Sequence, residues 1–185
     1  MTAPQDVQDE PVGDEGLPSV DPEDFKSAFR HHPGGVAVVT AQGPDGHVAL
    51  TATSVSSVSA DPPLLVFSVS DFSSSTPTIR AADTVVVHLI DEAGLDLAKL
   101  GATSGIDRFA DEELWTTLPS GERVFHRTRW IRARILERLD SGTATIVVAQ
   151  AIATNVSASD PQPTGPGLAY INRTWHRLDE SSRIA

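Results

Sequence analysis

Residues 34–75 read GGVAVVTAQGPDGHVALTATSVSSVSADPPLLVFSVSDFSSS. Val36 to Ala41 and Leu64 to Val69 are short runs rich in β-branched residues, the pattern of strands rather than helices. Gly43-Pro44-Asp45-Gly46 is a turn that sends the first run back through His47 as an antiparallel hairpin. From Thr51 to Ser59 the chain alternates small apolar residues with Thr51, Thr53, Ser54, Ser56, Ser57 and Ser59 and carries no charge. Such a segment offers hydroxyl and backbone N–H donors to an anion or a polar heterocycle, and it equally fits a tight turn. Asp61-Pro62-Pro63 then bends the chain, because proline fixes φ and lacks a backbone donor, so the second strand does not simply continue.

Working outward, Leu64 to Ser70 is a third strand, followed by the hydroxyl cluster Ser73, Ser74 and Ser75. Thr76-Pro77 pairs a capping residue with proline at the first helical position, which predicts a short helix over Pro77 to Ala82. Thr84 to Ile90 is a fourth strand, and Asp91 caps a helix reaching Leu100. Ala102 to Glu122 is irregular. Trp130 to Leu139 alternates Ile131, Ala133 and Ile135 with Arg132 and Arg134, as a half-buried strand requires. Ser141-Gly142 turns it back into Thr143 to Val156. After a loop rich in proline and glycine, Asp160 to Gly167, the strands Leu168 to Ile171 and Thr174 to Leu178 are expected to close a barrel. Upstream, Asp21 caps a helix with Pro22 at its first position, and Phe25, Ala28 and Phe29 form its apolar face until Pro33-Gly34-Gly35 ends it. Hairpin-joined strands with short covering helices predict a mainly β, antiparallel barrel rather than a parallel doubly wound sheet.

The 185 residues are enough for one domain, expected over residues 21–185. Met1 to Val20 carries Asp6, Asp9, Glu10, Asp14 and Glu15 with no basic residue and few apolar ones, and reads as an acidic disordered tail. A net charge of −11 repels phosphate backbones and anionic lipid, which argues against nucleic acid and membrane-surface partners. The apolar runs are too short to span a bilayer, and the start lacks the pattern of a secretory signal. Absence of cysteine excludes thiolate chemistry and disulfides. The expected location is the cytoplasm.

No G-x-G-x-x-G loop joins a strand to a helix, so a nucleotide-like ligand must be held another way. The start of the Pro77 helix is the candidate place, where free N–H groups and the positive end of the dipole meet Ser73, Ser74 and Ser75. An ordinary helix cap beside a serine-rich loop is the alternative. No G-x-S-x-G elbow marks a hydrolase. His31 and His32 are adjacent, so they do not form an i, i+4 ligand pair, and no metal site is expected. Arg123, Arg127, Arg129, Arg132, Arg134 and Arg138 make the one basic concentration, read as a solvated strand face paired with carboxylates, or as a patch for nucleotide phosphates or another subunit's acidic tail.

In order, Gly35-Val36-Ala37-Val38-Val39-Thr40, Thr51-Ala52-Thr53-Ser54, Ser57-Val58-Ser59-Ala60-Asp61-Pro62-Pro63-Leu64 and Ser73-Ser74-Ser75 resemble the flavin reductase-like proteins of the FMN-binding split-barrel fold, over about Phe25 to Leu178. The resemblance implies a Greek-key type split β-barrel that binds FMN or FAD, takes NAD(P)H as co-substrate, forms a homodimer, and feeds reduced flavin to a monooxygenase partner. It implies that Thr51, Ala52, Thr53 and Ser54 line the isoalloxazine ring, that Ser73, Ser74 and Ser75 hold the phosphate, and that Arg108, before Phe109, lies near it. His88 stands where the family often has an asparagine near the ring, and could be either a ring neighbour or a hydrogen-bonded core histidine. The family's Gly-Asp-His turn reads Gly142-Thr143-Ala144 here, Gly94 stands where a glutamine is common, and Ala49 replaces a glycine. These departures put nicotinamide binding in question more than flavin binding. The expected activity is therefore an NAD(P)H:flavin oxidoreductase, against a flavin-binding protein without reductase activity or a barrel used as an interaction module.

Overall fold

The computed structural model describes residues 19–160 and 165–184. The expected acidic tail lies outside the described residues apart from Ser19 and Val20, as does part of the Asp160 to Gly167 loop. The chain starts with α1 (Pro22–Phe29), where the Asp21 carboxylate accepts the Glu23 N–H at 2.8 Å and Pro22 opens the helix. Its two phenylalanines, Phe25 and Phe29, pack on each other with centroids 4.9 Å apart and stay exposed.

After β1 (Gly34–Gly35), the hairpin β2 (Ala37–Gly43) and β3 (Gly46–Ala52) pairs Gly43 with Gly46 around the Pro44-Asp45 turn. β4 (Ser56–Ala60) and β5 (Pro63–Ser70) form a second hairpin, so the hydroxyl-rich segment is partly a strand. Then come α2 (Thr76–Ala81), β6 (Thr84–Leu89), α3 (Leu95–Ala102), β7 (Trp115–Thr117), β8 (Arg123–Phe125), β9 (Arg129–Ser141), β10 (Ala144–Thr154), β11 (Gly167–Ile171) and β12 (Thr174–Leu178).

Seven strands form one antiparallel sheet in the order β3-β2-β6-β9-β10-β5-β4. It curls around a core that includes Val39, Leu50, Phe67, Val69, Ile79, Val85, Val87 and Val147. The curl brings β3 to β5 without a backbone ladder between them. Ser54 bridges this seam: its hydroxyl accepts the Ser68 N–H at 3.0 Å and lies 3.3 Å from the Ser68 carbonyl, to which it donates. The barrel is thus split beside the Thr51 to Ser54 segment.

β11 and β12 do not close the barrel, contrary to the sequence expectation. They pair with β1 in a separate three-stranded sheet, where the side-chain-free Gly34 and Gly35 face Tyr170 and Ala169. A Cβ on Gly34 would meet Thr53 Cβ at 2.9 Å, so glycine is required to bring that sheet against the barrel mouth.

A second core covers the outer face of β2 and β3 and the end of β6. Val36, Val38, Ala49 and Ile90 meet Ala98 of α3 with Phe109, Phe125 and Leu168. Strand parity decides which residue goes where: Ala52 sits opposite Ala37 and faces the barrel interior, whereas Thr51 sits opposite Val38 and faces α3.

Candidate functional site

A cavity of about 550 Å³ opens beside the split, where β3, β5, the turn before α2, the end of α3 and the β9–β10 turn converge. Thr51, Thr53, Ser54, Ser73, Ser74 and Arg108 line it, six of the nine residues singled out from sequence. Ser68, Ser70, Ser104, Gly101, Thr143 and Ala144 complete much of the wall. Among the described residues, Arg108 is its only charged side chain. In a chain with 25 acidic residues, a wall free of carboxylates favours an anionic guest.

Arg108 is oriented from both sides. The Asp107 carboxylate accepts the Phe109 N–H at 2.9 Å and fixes the turn that presents it. Its Nε donates to the Gly101 carbonyl at 3.2 Å and its Nη2 to the Thr103 carbonyl at 2.7 Å, both at the negative end of α3. Burial lowers its pKa from the ordinary arginine value, yet a guanidinium remains charged at working pH. Among the described residues Arg108 makes no ion pair.

Three of the nine lie elsewhere. Ala52 belongs to the barrel core. Ser75 is buried, and its hydroxyl donates to the Ala49 carbonyl at 3.1 Å. The Thr76 hydroxyl likewise donates to the Ser70 carbonyl at 2.6 Å, so neither side chain caps α2 as the sequence suggested. Both hydroxyls instead tie the turn to the barrel, which fixes Ser73 and Ser74 at the cavity wall.

Of the two readings the sequence left open for His88, the structure shows the core histidine and not a neighbour of the cavity. On β6 it points to the outer face, opposite Val38, and is 0 % exposed beneath β8, with its ring 5.4 Å from that of Phe125. The Thr128 hydroxyl donates to the Phe125 carbonyl at 2.9 Å, so His88 Nδ1, 2.9 Å from Thr128 Oγ1, carries the ring proton and donates to that hydroxyl oxygen. Nε2 lies 3.4 Å from the Thr40 hydroxyl, which donates to the Arg123 carbonyl. Burial pushes the pKa down to about 3, so this is a neutral core histidine.

The arginine concentration is dispersed by the fold. Arg123 lies 3.7 Å over the Trp115 ring, Arg134 donates to Gln150, and Arg138 donates to the Ala82 carbonyl. Among the described residues, only Arg132 of this group pairs with a carboxylate, bonding Glu122 at 2.7 Å. Burial would raise the pKa of Glu122, which is 2 % exposed. Hydrogen bonds from Ser120, Thr84, its own backbone and Arg132 outweigh that and hold it at about 2.

A second cavity, about 760 Å³, lies across Thr53 and Ser54 from the first, since both residues line both. Its wall mixes the exposed rings of Phe25 and Phe29 with Tyr170 and the cations Lys26, Arg30 and Arg173. Sequence reasoning missed Ser68 and Ser70, although their alternation with buried Phe67 and Val69 marks them as facing away from the core. The second cavity had no sequence signal, because it is made where α1 and the β11–β12 turn meet the barrel.

A profile of the flavin reductase like domain matches residues 29–179. The chain belongs to the flavin reductase-like domain family. Among its relatives, the NADH:FMN oxidoreductase of Rhodococcus erythropolis is 39% identical over 155 residues, covering 83% of this chain and 80% of that protein. The reductase component of a 4-nitrophenol 4-monooxygenase/4-nitrocatechol 2-monooxygenase from Rhodococcus opacus is 25% identical over 182 residues, covering 96% and 98%. A solved flavin reductase domain protein from Arthrobacter sp. FB24 superposes with a TM-score of 0.76 at 28% identity, over 84% of this chain and 94% of that one. This flavin reductase-like chain therefore shares the split-barrel architecture of its relatives.

Proposed function

We propose that this chain is an NADH-dependent flavin reductase that binds FMN in the cavity beside the split and releases reduced flavin to a separate monooxygenase. The observation that carries this reading is the wall of hydroxyls around one oriented guanidinium, with no carboxylate among the described residues that line it. Such a wall suits a phosphate and a ribityl chain, and the family supplies the chemistry. The named activities of the Rhodococcus relatives support both the reductase and its oxygenase partner.

In this reading Arg108, Ser73 and Ser74 hold the phosphate. Thr51, Thr53 and Ser54 place the ring against the seam between the two cavities. Lys26, Arg30 and Arg173 draw the dinucleotide phosphates into the second cavity, and Phe25, Phe29 and Tyr170 offer its rings apolar surface. When bound, the nicotinamide would supply a hydride to flavin N5, and solvent a proton, to give the reduced flavin. The chain's part is to stack two rings and exclude water, so a missing catalytic triad is no obstacle.

The chain acts as a cytoplasmic homodimer. Support for the dimer is the exposure of Val58, Leu136, Leu139 and Ile152 on β4, β9 and β10. A second reading, flavin binding without hydride transfer, draws on Thr143 and Ala144 at the cavity wall in place of a histidine-bearing turn. Titrating the purified protein with FMN by fluorescence quenching, then adding NADH without oxygen, tests both. Quenching followed by bleaching of the flavin band supports the reductase. Quenching without bleaching supports the second reading, and no quenching refutes both.

A further inference from the structure

Gly101 is buried in the last turn of α3, three residues beyond Ala98, whose carbonyl accepts the Thr51 hydroxyl at 2.6 Å. Here the helix lies directly on β3. A Cβ on Gly101 would stand 2.5 Å from Thr51 Oγ1, 3.1 Å from Thr51 N and 3.3 Å from the Leu50 carbonyl carbon. The closest is the Thr51 hydroxyl, held by its bond to the Ala98 carbonyl, and the other two are strand backbone that must give by a few tenths of an ångström, so a side chain here either breaks that tie or shifts the end of α3. That end carries both acceptors of Arg108, the carbonyls of Gly101 itself and Thr103. With Nε and Nη2 engaged there, the edge bearing Nη1 is left for the cavity that Arg108 lines.

We propose that Gly101 is a positioning residue. By letting α3 settle on β3, it sets Arg108 at the depth where the guanidinium distinguishes a phosphate-bearing flavin from riboflavin. The proposal rests on the reading that the anionic end of the flavin binds at Arg108. If Gly101 served only to pack helix on strand, its substitution would weaken FMN and riboflavin alike.

The test uses the full chain and its Gly101→Ala, Arg108→Gln and doubly substituted variants. The readout is the ratio of riboflavin to FMN dissociation constants from fluorescence quenching. Arg108→Gln lowers this ratio by about tenfold, the scale of a charge-assisted hydrogen bond. Gly101→Ala lowers it severalfold, and the double variant matches Arg108→Gln, because the first substitution acts only through the second residue. A Gly101→Ala effect equal for both ligands, or a double variant showing the product of the single effects, overturns the proposal. A ratio unmoved by Arg108→Gln removes the phosphate assignment itself, and the proposal with it. Should Gly101→Ala not fold, Thr51→Val serves instead. It unties α3 without adding bulk at residue 101 and must lower the ratio severalfold, and an unchanged ratio overturns the proposal.

Discussion

Lowering the pH from 7.5 to 5.0 removes stability through His88. In the fold its pKa is about 3, because burial disfavours the charged ring, whereas in the unfolded chain it is the ordinary 6.5. The folded pKa is depressed, so above about 6.5 the residue has no effect on the balance. Below that, the unfolded chain takes up a proton that the folded chain refuses, and stability falls until about pH 3. At pH 5.0 the unfolded ring is almost fully protonated and the folded ring is neutral, which costs about 2 kcal/mol. For a chain of this length that is roughly 4–8 °C in Tm. Glu122 contributes little in this window, since its stabilisation is complete above about 4.5 and is lost only as pH falls toward 2. Urea unfolding of the wild type and His88→Asn at both pH values checks the reasoning. Asparagine keeps a donor near Thr128 and cannot titrate, so the variant is weaker at pH 7.5 but loses about 2 kcal/mol less on acidification. An identical acid response in both proteins would refute the assignment of His88 as a neutral buried histidine.

Other outcomes follow from the same geometry. Ser73→Ala with Ser74→Ala raises the FMN dissociation constant about tenfold and leaves riboflavin within about twofold, measured by quenching. Equal weakening would place the phosphate elsewhere. Glu122→Gln strands Arg132 and unbalances the donors of Thr84 and Ser120, costing about 3 kcal/mol in urea unfolding at pH 7.5, and a loss below about 1 kcal/mol would contradict its role as a buried tie. Among the described residues, the cavity beside Arg108 is lined by no His, Asp or Glu, so under the proposed function the stopped-flow hydride-transfer rate at saturating NADH is flat from about pH 6 to 9. A bell-shaped profile would demand an acid or base that the wall does not carry.

Local patterns made the barrel strands legible. The alternation in β9, the Pro44-Asp45 turn and the Asp21-Pro22 helix start are short-range signals, and each sits within a residue or two of its expected place. The final hairpin was misplaced because its partner is Gly34-Gly35, and two glycines carry no strand signal while being what permits close approach to Thr53. The resemblance left His88 open between a ring neighbour and a core histidine. Parity alone would have put it on the outer face of β6 with Val86, and the β7–β8 cover had no strand expectation, β7 lying in the stretch read as irregular and β8 just after it. Ser73 and Ser74 line the cavity, but sequence could not show that Ser75 and Thr76 spend their hydroxyls on backbone carbonyls of the barrel.

The most direct test of the central claim is a crystal structure of the full chain with FMN. The account predicts the phosphate within hydrogen-bonding distance of Arg108 and of the Ser73 or Ser74 hydroxyl, with the ring against Thr53 and Ser54. Flavin seated on another surface, or its phosphate turned to solvent away from Arg108, would contradict it.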